Sequence, residues 1–239
     1  MQVKLLAVVV LSVVFGALNA TSPHPPFHLG AVTFADGTCD DSDTKIVQNC
    51  FNIYLQFFGL SINPFPSFSN YTTVYDAYLI KRGSAGQSAI CRQKNLLSLC
   101  LSSLEKDCVN FMGLSSIFGL DPESAYHYNM DYYINVIRNL GNAGLNVTMN
   151  SFYCIQAAGI NQANNEQACE TALLAAGHNS QSCDPYNTYI QCMATVFGNY
   201  CGSAVGSWEC SGLTYGILKD VPMCQQSFTP CTTSKFLRV

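Results

Sequence analysis

The stretch Cys183–Cys210, CDPYNTYIQCMATVFGNYCGSAVGSWEC, places Cys183, Cys192, Cys201 and Cys210 nine residues apart each time. Zinc ligands usually come in pairs about two to four residues apart, so this interval is not a metal motif. Nine residues of α-helix make about two and a half turns, which points successive cysteines to opposite sides. Asp184 and Pro185 open a helix, with Cys183 at its edge, Cys192 on a face and Cys201 near its end. Each cysteine then reaches a different neighbour. The interval predicts a helix stapled front and back.

The first twenty residues have the form of a secretory leader. Lys4 gives the positive start, Leu5 to Phe15 is apolar apart from Ser12, and GALNA supplies small residues before a cleavage after Ala20, with Ala17 as the alternative. The apolar run is shorter than the roughly 18 residues that span a bilayer. No second stretch is long and apolar enough to do so. The expectation is a secreted, extracellular chain with no transmembrane segment after cleavage. All 13 cysteines lie beyond the leader, which in an exported chain reads as a disulfide framework. Their odd number leaves at least one over.

Charge is sparse. Without Lys4, ten Lys and Arg stand against 15 Asp and Glu, and no basic block exists. Nucleic acid and polybasic membrane attachment are therefore not expected partners.

Residues 21–38 are Pro- and Gly-rich and read as an extended arm, whose His24 and His28 are expected to be solvated. Beyond it the pattern is helical. Ile46, Cys50, Ile53, Tyr54 and Phe57 recur at steps of three and four, with Gly59 as the stop. SINPFPSFSNYTT reads as a loop, followed by a short helix over Val74 to Lys81. SAICRQKNLLSLCLSSLEKDCVNFMGL gives one or two helices, with Ser102 and Glu105 spaced as a capping box and Gly113 as a stop. Asp121, Pro122 and Glu123 start the clearest helix, striped by Tyr126, Met130, Tyr133, Ile137 and Leu140 and closed by Gly141. NNEQACETALLAAG ends at Gly177, and a last helix covers Leu213 to Lys219. Strand-type alternation is nearly absent. The predicted fold class is mostly α: a compact disulfide-stapled helical domain of about six to eight short helices. It should occupy residues 39–224, between the arm and a C-terminal tail at 225–239. CDDSDTKIVQNCFNIYLQFFG and CDPYNTYIQCMATVFG echo one another, each opening Cys-Asp and reaching Phe-Gly.

No catalytic constellation is legible. GQSAI and GLSSI lack the final glycine of a nucleophile elbow, and Cys-x-x-Cys, H-E-x-x-H, P-loop and Gly-rich dinucleotide patterns are absent. His127 lies among tyrosines, and His178 follows a helix stop, where a cation is favoured. Asp40-Asp41 reads as a helix start. No catalytic, cofactor-binding or metal-binding residue is assigned, and the expectation is a non-enzyme. It acts as an extracellular binding or structural module; the alternative is a carrier of an apolar small molecule or lipid.

CDDSDTKIVQNC, ICRQKNLLSLCLSSLEKDC and CDPYNTYIQCMATVFGNYCGSA together resemble a nematode-type secreted cysteine-rich family, the domain of unknown function nineteen, over roughly Cys39 to Cys224. A related resemblance is to the chondroitin proteoglycan 4 type of secreted domain, whose glycan attachment would need Ser-Gly, offered here only by Ser211-Gly212. The resemblance implies about twelve paired cysteines and no assigned activity. On that basis Cys39, Cys50, Cys91, Cys100, Cys108, Cys154, Cys169, Cys183, Cys192, Cys201, Cys210 and Cys224 are expected to form intrachain bridges. Cys231, in the tail beyond Pro222 and Pro230, is then the odd one and the route to a covalent dimer, with Cys210 as the second choice. Pairing within the set is not deducible from sequence.

Asn70 and Asn146 head the sequons Asn-Tyr-Thr and Asn-Val-Thr in stretches that read as loops. Mass spectrometry of the exported protein should find glycan on both.

Overall fold

The computed structural model describes residues 39–139, 141–177 and 182–231. The leader, the arm with His24 and His28, His178, Leu140 and residues 232–239 lie outside them. In chain order the helices are α1 (Asp41–Gln56), α2 (Phe68–Leu101), α3 (Glu105–Cys108), α4 (Phe111–Phe118), α5 (Pro122–Asn139), α6 (Gly141–Asn150), α7 (Phe152–Asn161), α8 (Ala163–Gly177), α9 (Asp184–Cys201) and α10 (Ser203–Asp220). Short 3-10 turns cover Ser102–Leu104 and Pro222–Gln226. Among the described residues there is no strand. The mostly α, disulfide-stapled domain is what the spacing predicts, with helices more numerous and partly longer.

Two cores share one helix. The first gathers Val47, Phe51 and Leu55 of α1, Ile90, Leu97 and Leu101 of α2, and Leu114 of α4. The second gathers Ile190, Met193 and Phe197 of α9 with Val205, Trp208, Leu213 and Ile217 of α10. Helix α5 lies between, giving Tyr128, Tyr132 and Tyr133 to the first and Met130 to the second. Asp121 starts it as expected: its Oδ1 accepts from the Ser124 N–H at 2.8 Å. Met130, Tyr133 and Ile137 of the predicted stripe are therefore buried, with Tyr133 in the first core and Met130 in the second.

Several local expectations change. In α1, Val47, Cys50, Phe51, Tyr54 and Leu55 are buried, while Ile46 and Ile53 are 47% and 53% exposed. Helical period marks an apolar sector, and the neighbours decide where within it the core falls. The presumed loop at Asn70 is the first turn of α2, capped by Ser67, whose hydroxyl accepts from the Asn70 N–H. That helix runs on to Leu101, broken only at Gly83, where φ is 58°. Ser102 has a φ of 49° and forms no capping box. Glu105 instead accepts from the Tyr132 hydroxyl at 2.9 Å and the Ser98 hydroxyl at 3.4 Å. Gly113 lies inside α4 and Gly141 begins α6, so neither is a stop.

The opening stretch forms a helical hairpin. Helices α9 and α10 are joined by Gly202 alone, at a φ of 95° that side-chain-bearing residues rarely adopt. The last helix is thus 18 residues long instead of the seven of Leu213–Lys219, because neither Gly206 nor Gly212 interrupts it. Gly206 lies against Gly198, and a Cβ there would stand 2.9 Å from Gly198 Cα and 2.7 Å from the Ala194 carbonyl oxygen. Glycine here serves close packing between helices.

Six bridges hold the helices: Cys39–Cys108, Cys50–Cys100, Cys154–Cys201, Cys169–Cys192, Cys183–Cys224 and Cys210–Cys231. The four evenly spaced cysteines reach four different partners. Two assignments are corrected. Cys231 is not the odd cysteine: it pairs with Cys210, the second choice, and is not available for a covalent dimer. The unpaired one is Cys91, buried at 3% exposure on α2. The tail from residue 225 to Cys231 folds back onto the hairpin, and Asn187 bonds Thr229 through both its amide oxygen and its nitrogen. That return brings Cys231 beside Cys210, which no local pattern in the tail signals. The enclosed sequence separations run from 21 to 69 residues. Each bridge alone would restrict the unfolded chain by about 3–4.5 kcal/mol, though overlapping loops do not add.

Gly206→Ala should lower stability by about 1–3 kcal/mol through overpacking. Gly198→Ala should cost less, since its Cβ meets Gly206 Cα at 3.4 Å, an ordinary contact. Thermal denaturation of the two variants reads the difference, and equal losses would contradict the described contact.

Candidate functional site

Two features stand out: a seam of buried charge along α5 and an open groove on the C-terminal lobe. The seam arises because Asp131 and Arg138 lie seven residues apart on α5, nearly on one face. Lys94 of α2 donates to both carboxylate oxygens of Asp131, at 3.0 and 2.8 Å. Asn135 Nδ2 donates to Asp131 Oδ1 at 2.8 Å, and the Tyr71 hydroxyl to Oδ2 at 3.4 Å. Tyr71 and Tyr54 share a 2.6 Å hydrogen bond, and the Lys94 ammonium lies 5.3 Å from the Tyr75 ring centroid. Burial holds Lys94 below its ordinary pKa, and Asp131 opposes that fall. Burial also raises Tyr54, Tyr71 and Tyr75 above the usual phenol range, with Asp131 adding to it. A cavity of about 20 Å³ adjoins Lys94, Asp131 and Asn135, room for about one water.

Cys91 stands one turn before Lys94. Its sulfur accepts from Gln87 Nε2 at 3.4 Å. Burial raises the thiol, and Gln87, Lys94 and Arg138 pull it only part of the way back. A nucleophilic cysteine needs the opposite shift and access to solvent. Cys91 behaves as a small apolar side chain of the core.

At the other end of the seam, Arg138 Nη2 donates to Glu209 Oε2 of α10 at 2.8 Å, and the guanidinium lies 4.1 Å from the Trp208 ring centroid. Trp208 Nε1 in turn donates to the Thr148 hydroxyl at 3.1 Å. Thr148 completes the second sequon, yet it is buried inside α6. Asn146 and Asn70 are both exposed, but on helices rather than loops. His127 stacks on Phe68 with ring centroids 5.1 Å apart. Asp40 precedes α1 and Asp41 lies in its first turn, as read from the sequence. Ser211 is fully buried in α10, its hydroxyl donating to the Ser207 carbonyl, so Ser211-Gly212 is no accessible glycan site in this fold. No cluster of three metal-ligating side chains occurs among the described residues.

The groove has a volume of about 660 Å³ and runs between α8 and α9. Gln162, Asn165 and Ala168 line one side, and Gln191, Thr195 and Asn199 the other. No lining side chain is charged. Cys169–Cys192 fixes α8 to α9, and Cys154–Cys201 fixes α7 to the end of α9, so the groove walls are covalently tied. Asn161 Nδ2 donates to the Tyr200 hydroxyl at 2.7 Å, which sets that ring at the groove's end.

Sequence reasoning did not find the seam. One signal was present: Lys94 lies on the apolar stripe of Ile90, Leu97 and Leu101, in a chain where only 11% of residues are charged. A charge at a core position requires a buried partner. Scans against family models and searches of curated proteins and solved structures gave no match.

Lys94→Met should leave Asp131 without its cation and cost about 3–5 kcal/mol. Lys94→Met with Asp131→Leu should recover much of the loss. Urea denaturation measures both, and a neutral Lys94→Met would refute the buried pair.

Proposed function

We propose that the chain is a secreted, non-enzymatic, disulfide-stapled helical module that binds an extracellular partner through the α8–α9 groove. The observation that carries this reading is an open groove whose walls are joined by two bridges and whose lining, amide and hydroxyl groups set among Ala168, Cys192 and Val196, carries no charge. Walls joined by bridges lose less conformational entropy on binding than untied ones. Neutral donors and acceptors suit hydrogen bonding to a polar, uncharged surface. Secretion is supported by the leader-like start and by six bridges, which persist in oxidising compartments. No helix among the described residues is long and apolar enough to cross a membrane. Resemblance to the secreted cysteine-rich family agrees with this class and adds no site residue.

The apolar carrier is the weaker reading. It requires an enclosed apolar cavity of roughly 300 Å³ or more. The cavity beside Lys94 is about 20 Å³, and the larger space, although Ala168, Val196 and Tyr200 give it apolar wall, is an open groove and encloses nothing.

A photo-cross-linker placed at Thr195 should capture a defined extracellular partner, and the same group at exposed Ser116 on α4 should not. Equal capture at both positions would remove the groove from the reading. A hydrolytic turnover abolished by one side-chain change would overturn the non-enzymatic assignment.

A further inference from the structure

In the C-terminal lobe one buried carboxyl, Glu166, lies within reach of two other carboxylates, Glu209 and Glu170. Glu166 and Glu170 stand one turn apart on α8, Glu209 comes from α10 and Arg138 from α5. Arg138 pairs with Glu209, so its charge is taken. Glu166 is 9% exposed, and its Oε1 is buried with no hydrogen-bond partner. The charges that act on Glu166 are Glu209 and Glu170, both negative. The titratable groups of the surrounding helices are Tyr189 on α9, which feels Glu166, Glu170 and Glu209, and Tyr126 and Arg138 on α5. From α7 there are only exposed Tyr153 and disulfide-bonded Cys154.

An ionised carboxylate there would leave its buried Oε1 without a donor and face only other carboxylates, so the packed lobe favours Glu166 as a neutral acid. Burial first, then repulsion by Glu209 and Glu170, pushes its carboxyl up to about 8. Its neighbours Asn165 and Ala168 line the groove, with Gln162 just before α8. Residues 162–168 lie between two bridged positions, Cys154 on α7 and Cys169 on α8, and carry no bridge themselves, so noncovalent packing holds them to the lobe.

We propose that Glu166 is a proton-operated latch on the groove: as a neutral acid it lets the first turns of α8 pack onto the lobe, and on ionisation it turns to water and releases the wall formed by Gln162, Asn165 and Ala168. The functional importance of the latch rests on the groove reading, but its operation is measurable with no ligand present.

The direction follows from linkage. In the released state the carboxyl is solvated and titrates near its ordinary 4.5, against about 8 when packed. The latched state is fully favoured below the lower value. The release constant rises about tenfold per pH unit between the two and levels off above the upper one.

Hydrogen exchange of the α8 amides 163–168, corrected for intrinsic rates, reads this constant in the full exported chain. Protection in the wild type should fall about tenfold per unit through that window, once the carboxyl begins to ionise. Glu166→Gln, which matches the neutral acid in shape, should be flat. Glu170→Gln removes one repelling charge and should move the plateau to lower pH. A flat wild type, or the same slope in Glu166→Gln, would overturn the latch. If Glu166→Gln does not form all six bridges, carbon-detected NMR titration of Glu166 in the wild type decides, and a carboxyl titrating near 4.5 overturns it. Failure of the groove to bind a partner would leave each of these readings unchanged.

Discussion

Helix α5 has to be buried on two sides at once, and that constraint organises the molecule. A helix between two cores gives the charges along its middle little access to solvent, so they need partners close by. Asp131 meets this with Lys94 from the first core, and Arg138 with Glu209 from the second. The two pairs join α5 to α2 and to α10. Neither lobe can move freely along α5 without separating a charge from its partner, which costs far more than sliding one apolar surface over another.

The bridges act differently. Cys39–Cys108 and Cys50–Cys100 lie within the first lobe, and the other four within the second. No disulfide crosses α5. Covalent restraint therefore fixes each lobe internally, while packing and ion pairs on α5 set the lobes against one another. The short α3, α4, α6 and α7 would be marginal as isolated helices. Here they are held by neighbours and by the cysteines at or near their ends.

The two ends of the seam differ in how completely their polar groups are matched. Around Asp131 the two carboxylate oxygens receive donors from Lys94, Asn135 and Tyr71, giving a closed network. Around Glu209 the acids outnumber the base, and both Glu166 Oε1 and Arg138 Nε lack partners. A satisfied network rigidifies a core, whereas an unsatisfied one stores sensitivity to protonation. The unsatisfied end adjoins the open groove, and the satisfied end adjoins a cavity with room for about one water.

Local chemistry was legible in the sequence. The nine-residue cysteine interval gave the hairpin's staples, Asp121 and Asp184-Pro185 gave two helix starts, and the absence of strand-type alternation gave the mostly α class. These depend on residues within a turn or two of each other. The odd cysteine, the charge seam and the groove were decided by tertiary structure. Cys231 pairs with Cys210 because the tail returns over α9, and Cys91 is left over because it is buried on α2 while the cysteines of the first lobe, Cys39, Cys50, Cys100 and Cys108, bridge one another. Gly206 is a contact between helices, and its role depends on Gly198 arriving opposite it. Lys94 and Asp131 are 37 residues apart, and Arg138 and Glu209 71. A charge at a core position can be read from helical period, but the identity of its partner depends on which helices fold together, and that is fixed only when both cores close on α5.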